Sequence, residues 1–343
     1  MSGRGLALVL LVVLALASAL MLAVGAAPLS GYAALWNGTF GSAYAVGQVL
    51  FRLTPLVLAG LAVAVPLRAG LFNIGAESQI IVGAFACAIV GAALPEATPS
   101  SVAVTVCLLA AAGGGALVGV VLATLRVRFG IHEVIGGLLG NLVTRALMVG
   151  LGAHFFLRES VHTQPVIEAA WLPRAARVFP VLSGSAVNLA LLLALLLLGL
   201  VPLWQHRTRH GFLLRALGEN EEAVRAAGHS VSRLRLLAMA LGGALGGLAS
   251  VNFVLGYKHF YEDGFSGGVG FLGLAVAMLG RGRPLGLLLA ALLLSLLQQG
   301  GFGMNAIVPK ELVDILSAVL LGGAAIAIAA AQKKSAAARE PQW

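Results

Sequence analysis

The sequence is poor in what a soluble enzyme needs. Charged residues make up only 10% of its 343 positions, cysteine occurs twice, and lysine four times, at Lys258, Lys310, Lys333 and Lys334. No lysine follows a glycine, so the Gly-Lys-Ser/Thr end of a phosphate-binding loop cannot form. Any ATP that drives this protein must bind another chain. Cys87 and Cys107 sit in apolar runs without disulfide or zinc spacing and read as small buried hydrophobes. His132-Glu133 lacks the second histidine of a zinc-protease helix, because Gly136 stands in its place. No serine or cysteine has the setting of an activated nucleophile. An integral-membrane enzyme is therefore the weakest reading.

Apolar sequence is what the chain has instead. Hydrophobic residues make up 59% and the mean hydropathy is +0.98. Runs of roughly 20 residues, the length that crosses a bilayer, recur from end to end. No polar stretch is long enough for a separate soluble domain. The expected fold is all-α: a polytopic membrane protein forming one permease-like domain over residues 1–343. Ten spans are expected, at 6–27, 44–67, 71–94, 101–124, 131–156, 186–203, 234–256, 268–280, 285–300 and 311–331. The first competes with a cleaved signal peptide, but it exceeds the ~7–15-residue apolar core of such signals.

The net charge of +9 does not indicate nucleic acid, because the basic residues sit between apolar spans. With the amino terminus inside, fifteen Lys and Arg fall on the cytoplasmic side and five outside, while Arg52 and Arg145 lie within spans. That asymmetry predicts both termini inside. Residues 157–185, with Pro165, Pro173 and Pro180, form the main external loop. The 268–280 span is short and opens on Gly264, Gly267, Gly268, Gly270 and Gly273, which predicts a broken or re-entrant helix over 264–280. Gly268-x-Gly270-x-x-Gly273 matches a dinucleotide fingerprint as a string, but it lacks the strand and the acidic residue that motif requires. The pairs Gly115/Gly119, Gly136/Gly140 and Gly242/Gly246 have the spacing of close helix packing. Gly60–Ala64 followed by Arg68 recurs as Gly273–Ala277 followed by Arg281, a weak parallel repeat.

Residues 205–235 are the longest strongly charged run, with six arginines and three glutamates between membrane-length spans. A single amphipathic helix is expected over 212–227, with Leu213, Leu217, Val224 and Ala227 on one face and Arg215, Glu219 and Glu222 on another. Glu221 and Arg225 form a favourable i,i+4 pair. Gly228 suits a C′ position, and Ser230 or Ser232 suits a cap for the next span. Such a helix outside the hydrocarbon can pass force to a soluble partner.

Polar residues inside spans are the remaining site candidates, since a charge at the bilayer centre costs at least ~2.5–3.5 kcal/mol. Asn73 and Glu77 are expected four apart on one helix face, close to Gln79. Asn141 and Arg145 make a similar pair, and Gln48, Arg52, Asn252, Gln298, Gln299 and Asp314 complete the set. They either line a pathway or bond one another to fix helix register. Few charges and several amides suit a neutral polyhydroxylated or heterocyclic solute. Phe253, Tyr257, Phe260, Tyr261, Phe265 and Phe271 could stack on its ring, although an interfacial aromatic belt is the simpler account.

Two stretches carry a family likeness. Pro55–Gly83, with the core Gly70-Leu71-Phe72-Asn73-Ile74-Gly75-Ala76-Glu77, resembles the permease subunits of bacterial ABC importers for nucleosides and simple sugars. Gly211–Gly228 resembles their cytoplasmic coupling loop, and Phe271–Gly286 their late glycine-rich span. The Gly-Ile-Asp-Leu-Ser-Val-Gly signature of the ribose-type branch is absent. Ser78 stands where relatives tend to have glycine, and His229 where they have a branched apolar residue.

The resemblance implies a multi-pass protein of the bacterial cytoplasmic membrane. It implies a second permease subunit, an ATP-binding subunit carrying ATP and Mg, and an external substrate-binding protein, with no cofactor on this chain. Asn73, Glu77, Gln79, Asn141, Asn252 and Phe253 are the expected pathway residues. Gly211, Arg215, Ala216, Gly218, Glu219, Asn220, Ala223, Ala226, Ala227 and Gly228 are the expected contacts to the ATPase. An ion-coupled transporter using Glu77 or Asp314, and a membrane assembly subunit without a pathway, are the alternatives.

Overall fold

The computed structural model describes residues 3–309 except Val24 and Ala306, and beyond them only Ile315 and Gly322. Apart from those two positions, the tenth expected span, with Asp314, lies outside the described residues, as do Lys310, Lys333, Lys334 and Arg339. Among the described residues the regular structure is helical, with isolated β-bridges but no strand. The helices are α1 (Gly3–Ala23), α2 (Pro28–Phe40), α3 (Ala43–Leu67), α4 (Ala76–Ala93), α5 (Ser100–Phe129), α6 (Glu133–Phe155), α7 (Ala190–Arg207), α8 (Arg209–Glu219), α9 (Glu221–Ala226), α10 (Val231–Ala249), α11 (Val251–Val254), α12 (Val269–Gly280) and α13 (Pro284–Met304).

Among the described residues, seven helices are long and apolar enough to cross a bilayer: α3, α4, α5, α6, α7, α10 continued through α11, and α13. The expected first span is instead a bent pair, α1 and α2, that turns by 111° and could count as an eighth. The sequence reading missed α2, whose start is set by Pro28 in the first turn, where its missing N–H costs nothing. The helix α12 has 12 residues, roughly 18 Å at 1.5 Å per residue, too short for a ~30 Å hydrocarbon layer. Gly264, Gly267 and Gly268 precede it with φ of 74°, 54° and 82°, so the glycine cluster does interrupt the helical chain as expected.

The described chain forms two compact units. The first contains residues up to 49 together with those from 293 onward. Its core is Ala17, Met21, Ala26, Met304 and Val308. The Tyr32 hydroxyl donates to the Leu14 carbonyl at 3.0 Å, and a Cβ on Gly38 would sit 2.9 Å from the Gly303 Cα. Gln299 Nε2 donates to the Gly38 carbonyl at 3.3 Å, the register-fixing role foreseen for such amides.

The second unit, residues 50–292, holds the candidate site. Its centre is α3, 89% buried over its span, whereas α6 and α7 are 28% and 22% buried and lie at its edge. Packing of α4, α5 and α10 rests on glycine, because small faces let backbones approach where lipid gives helices no hydrophobic drive to associate. A Cβ on Gly115 would come 2.9 Å from the Gly247 Cα, and one on Gly83 2.8 Å from the Ala111 carbonyl oxygen. The pair Gly136/Gly140 makes no such backbone approach. The tight contact on that helix is one position later, where a Cβ on Gly137 would meet Gly75 N at 2.8 Å. The two copies of the weak repeat pack against each other. A Cβ on Gly60 would meet Val276, one on Gly273 would lie 2.7 Å from Ala59, and Arg68 donates to the Gly282 carbonyl at 2.8 Å.

Residues 157–185 contain three short 3-10 turns and no longer helix. They are tied to residues 257–263 by a bridge between His162 and Glu262 and by Trp171 stacked on His259 at 3.9 Å.

Candidate functional site

The site begins where α3 stops. Gly70 has φ 75°, Leu71 N–H donates to the Pro66 carbonyl and Gly70 N–H to that of Leu67, a Schellman stop that needs a residue without a Cβ penalty. The chain then runs non-helically through residues 71–75. Asn73 therefore precedes α4 and does not share a helix face with Glu77, contrary to the expectation from their spacing. The backbone stop at Gly70 overrides the apolar run that suggested a helix from residue 71.

Asn73 and Gln79 are fully buried and pair reciprocally. Asn73 Nδ2 donates to Gln79 Oε1 at 2.8 Å, Gln79 Nε2 donates to Asn73 Oδ1 at 2.9 Å, and Asn73 Nδ2 also reaches the Ala62 carbonyl at 2.9 Å. Gly75, the N-cap of α4, offers no side chain, and Asn141 of α6 takes over that task. Its Oδ1 accepts from Ser78 N–H at 3.0 Å and its Nδ2 donates to the Ile74 carbonyl at 3.0 Å. The Ser78 hydroxyl turns back to the Gly75 carbonyl at 2.7 Å.

Glu77 is also fully buried, in the first turn of α4. Its Oε1 accepts from the Ser266 hydroxyl at 2.5 Å and its Oε2 from Gly270 N–H at 2.8 Å. Gly270 lies in the first turn of α12, so the carboxylate sits at a helix N-terminus, where the macrodipole favours negative charge. Arg145 Nη2 stands 3.8 Å from Glu77 Oε1, and the Arg145 side chain is 59% exposed. The glycine string that failed as a nucleotide motif is explained here. A Cβ on Gly270 would lie 2.5 Å from the Glu77 Cα, and Gly273 abuts Ala59.

Asn252 and Phe253 belong to a neighbouring network. Asn252 Oδ1 accepts from Asn188 Nδ2 at 3.1 Å, and Asn252 Nδ2 donates to the Phe51 carbonyl at 3.2 Å. Phe253 meets Phe51 and Phe265 edge-on, each with ring centroids 5.4 Å apart. Phe265 and Ser266 are adjacent in the chain and so join the two networks. Tyr261 is 1% exposed against Phe85 and Phe265, so this part of the aromatic cluster is core, while Tyr257 and Phe271 are exposed. The sequence reading passed over Ser266 and Asn188. The available signals were a serine among glycines before a short span, and a lone amide at the start of the apolar run that forms α7. A cavity of about 430 Å³ opens beyond the end of α6, lined among others by Val149, Gly152, Phe156, Arg158 and Asp263.

The charged stretch folds as two helices where one was expected. Asn220 is extended (φ −156°, ψ 102°), ends α8, and caps α9 by accepting from Ala223 N–H at 3.0 Å. This break resets the helical phase. The buried apolar set is Leu214, Leu217 and Val224; Leu213 is half-buried and Ala227 exposed. Thr208 caps α8 through Gly211 N–H at 3.1 Å, and Ser230 caps α10 through Arg233 N–H at 3.4 Å. Gly228 is left-handed at φ 79°, as a C′ glycine should be. Glu221 bonds Arg225 at 2.7 Å and Arg235 at 2.5 Å. Of the ten expected ATPase contacts, Gly211 is buried and Arg215 and Ala216 half-buried, while Gly218, Glu219, Asn220, Ala223, Ala226, Ala227 and Gly228 are exposed. A Cβ on Gly218 would lie 3.1 Å from Gly70 N, so α8 rests directly on the joint between α3 and α4.

A protein-family profile described as "Branched-chain amino acid transport system / permease component" matches residues 45–325. The guanosine ABC transporter permease protein NupP of Bacillus subtilis (strain 168) is 36% identical over 311 residues, 90% of this chain and 88% of that protein. The nucleoside ABC transporter permease protein NupB of Lactococcus lactis subsp. cremoris (strain MG1363) is 31% identical, covering 89% of this chain and 86% of its own length. The glucose ABC transporter permease protein TsgB13 of Haloferax volcanii is 32% identical over 92% of this chain and 84% of that one.

Proposed function

Because this chain belongs to the branched-chain amino acid transport system permease-component family, a family of ABC transporter subunits that are not themselves enzymes, we propose that it is the membrane subunit of a nucleoside importer. ATP and Mg bind a separate ATPase subunit. A second permease subunit and an external substrate-binding protein complete the assembly, in the bacterial cytoplasmic membrane. Both termini face the cytoplasm, in keeping with the fifteen-to-five distribution of Lys and Arg.

The seating of Gly218 on residues 68–70 carries this reading. The exposed strip Gly218, Glu219, Asn220, Ala223, Ala226, Ala227 and Gly228 docks on the ATPase, with Gly211, Arg215 and Ala216 forming its base. ATPase closure loads α8 and α9, and the load enters the α3–α4 joint through Gly218. That joint leads within a few residues to Asn73, Glu77 and Gln79. With Asn141 these form the frame of the inner pathway wall, and Asn252 and Phe253 the frame further out. Moving the frame exposes the solute to one side of the membrane and then the other, which is alternating access.

Gentle extraction of the protein from its own membrane, followed by identification of what co-purifies, tests the proposal. An ATP-binding subunit should be recovered with the intact chain and lost when Ala216–Ala227 is disrupted. Recovery of the chain alone, from an extraction that keeps other transporters assembled, would refute the ATPase partnership and favour ion coupling through Glu77.

A further inference from the structure

Arg145 occupies the middle of α6, twelve residues after Glu133 and ten before Phe155. Along α6, Glu133, Gly137, Asn141, Thr144, Met148 and Gly152 form a buried stripe, and Gly136 is buried on another side. Arg145 flanks that stripe, so its guanidinium reaches Glu77 at 3.8 Å while 59% of the side chain stays exposed. A half-exposed guanidinium at mid-span is costly against lipid, and such charges face water or protein. The helix itself shows where this face leads. At 100° per residue, Val149 and Gly152 lie within about 40° of Arg145. Both line the 430 Å³ cavity at the far end of α6, beside Phe156 and Asp263. Val149, exposed like Arg145, thus joins the arginine to the cavity wall along one helix face, with buried Gly152 at its edge. Val143 is as exposed as its neighbours (56%) but lies about 160° around the helix.

On the importer reading above, we infer that this face of α6 lines the solute's route and that Arg145 is a side chain the solute touches. Glu77, itself fixed by Ser266 and Gly270 N–H, stands 3.8 Å from the guanidinium. The exposed guanidinium carries donors only. It suits two acceptors side by side, such as O6 and N7 of a 6-oxopurine, and it meets the amino group at C6 of adenine donor to donor.

The first test needs no knowledge of the partners. Cys87 and Cys107 are buried, so the unaltered protein serves as a low-reactivity blank. In sealed membranes Arg145→Cys and Val149→Cys should react with a membrane-impermeant thiol reagent at least tenfold faster than Val143→Cys. Equal reactivity of Val149→Cys and Val143→Cys overturns the route, even if Arg145→Cys fails to assemble. The second test is uptake. Arg145→Ala should lower guanosine uptake (kcat/KM) tenfold or more and change adenosine uptake less than threefold, with partial recovery in Arg145→Lys. Equal loss for both nucleosides shows that Arg145 positions Glu77 without touching solute, and overturns the contact. ATPase co-purification is read separately, so failure of the α6 route is distinguishable from failure of the importer reading.

Discussion

Glu77 and Glu221 are the same side chain in opposite settings. Glu77 is fully buried, takes two hydrogen bonds from a serine hydroxyl and a backbone N–H, and has a cation only at 3.8 Å. Glu221 is 33% exposed and bonds two arginines at 2.7 and 2.5 Å. By ion-pair geometry the second is stronger, yet the first is worth more to the fold. Water and salt can replace the partners of Glu221, whereas nothing can replace those of Glu77 without leaving buried polar groups unpaired. Tight pairing at the surface and loose pairing in the core thus report on solvent access more than on importance.

The largest expected effect tests whether the Glu77 setting is rigid. Gly270→Leu places a side chain into the α4 backbone, and monodisperse protein after extraction should be lost. Glu77→Ala should follow, lowering stability by about 2–5 kcal/mol by stranding the Ser266 hydroxyl and the Gly270 N–H. Thermal unfolding in detergent measures it, and Glu77→Gln should recover part because its carbonyl still accepts from Ser266 or Gly270. Asn73→Ala strands the Gln79 amide and should cost about 1–3 kcal/mol in the same assay. At the surface pole, Glu221→Gln should cost no more than about 1 kcal/mol, and high salt should erase the difference. The contrast is falsified if Glu221→Gln destabilises as much as Glu77→Ala.

Much of this was legible in the chain. The all-α membrane class, the charged module at 205–235, the Gly228 stop, the Ser230 cap and the Glu221–Arg225 pair all follow from local rules that read a few residues at a time. What was misread shares one cause. Helical phase was carried through residues whose backbone interrupts it: Gly70 through Gly75 ahead of α4, and Asn220 between α8 and α9. In both places the neighbouring apolar residues keep helical spacing, so periodicity alone cannot see the break. The helix α2 was missed because its mixed composition, with Trp36, Asn37 and Thr39, resembles a loop.

Composition and spacing by themselves determined that this protein is a helical membrane bundle without a phosphate-binding-loop sequence, and that its longest charged run lies between spans. Those properties depend on transfer free energies and local hydrogen bonding, which are written residue by residue. Tertiary structure alone decided that Asn141 caps a helix it does not belong to, that Ser266 and Gly270 hold Glu77, and that Gly218 rests on the α3–α4 joint. These are contacts between residues 63 to 193 positions apart, or 148 in the case of Gly218 and Gly70. Their existence depends on how closely glycine lets two backbones approach, which no sequence window contains.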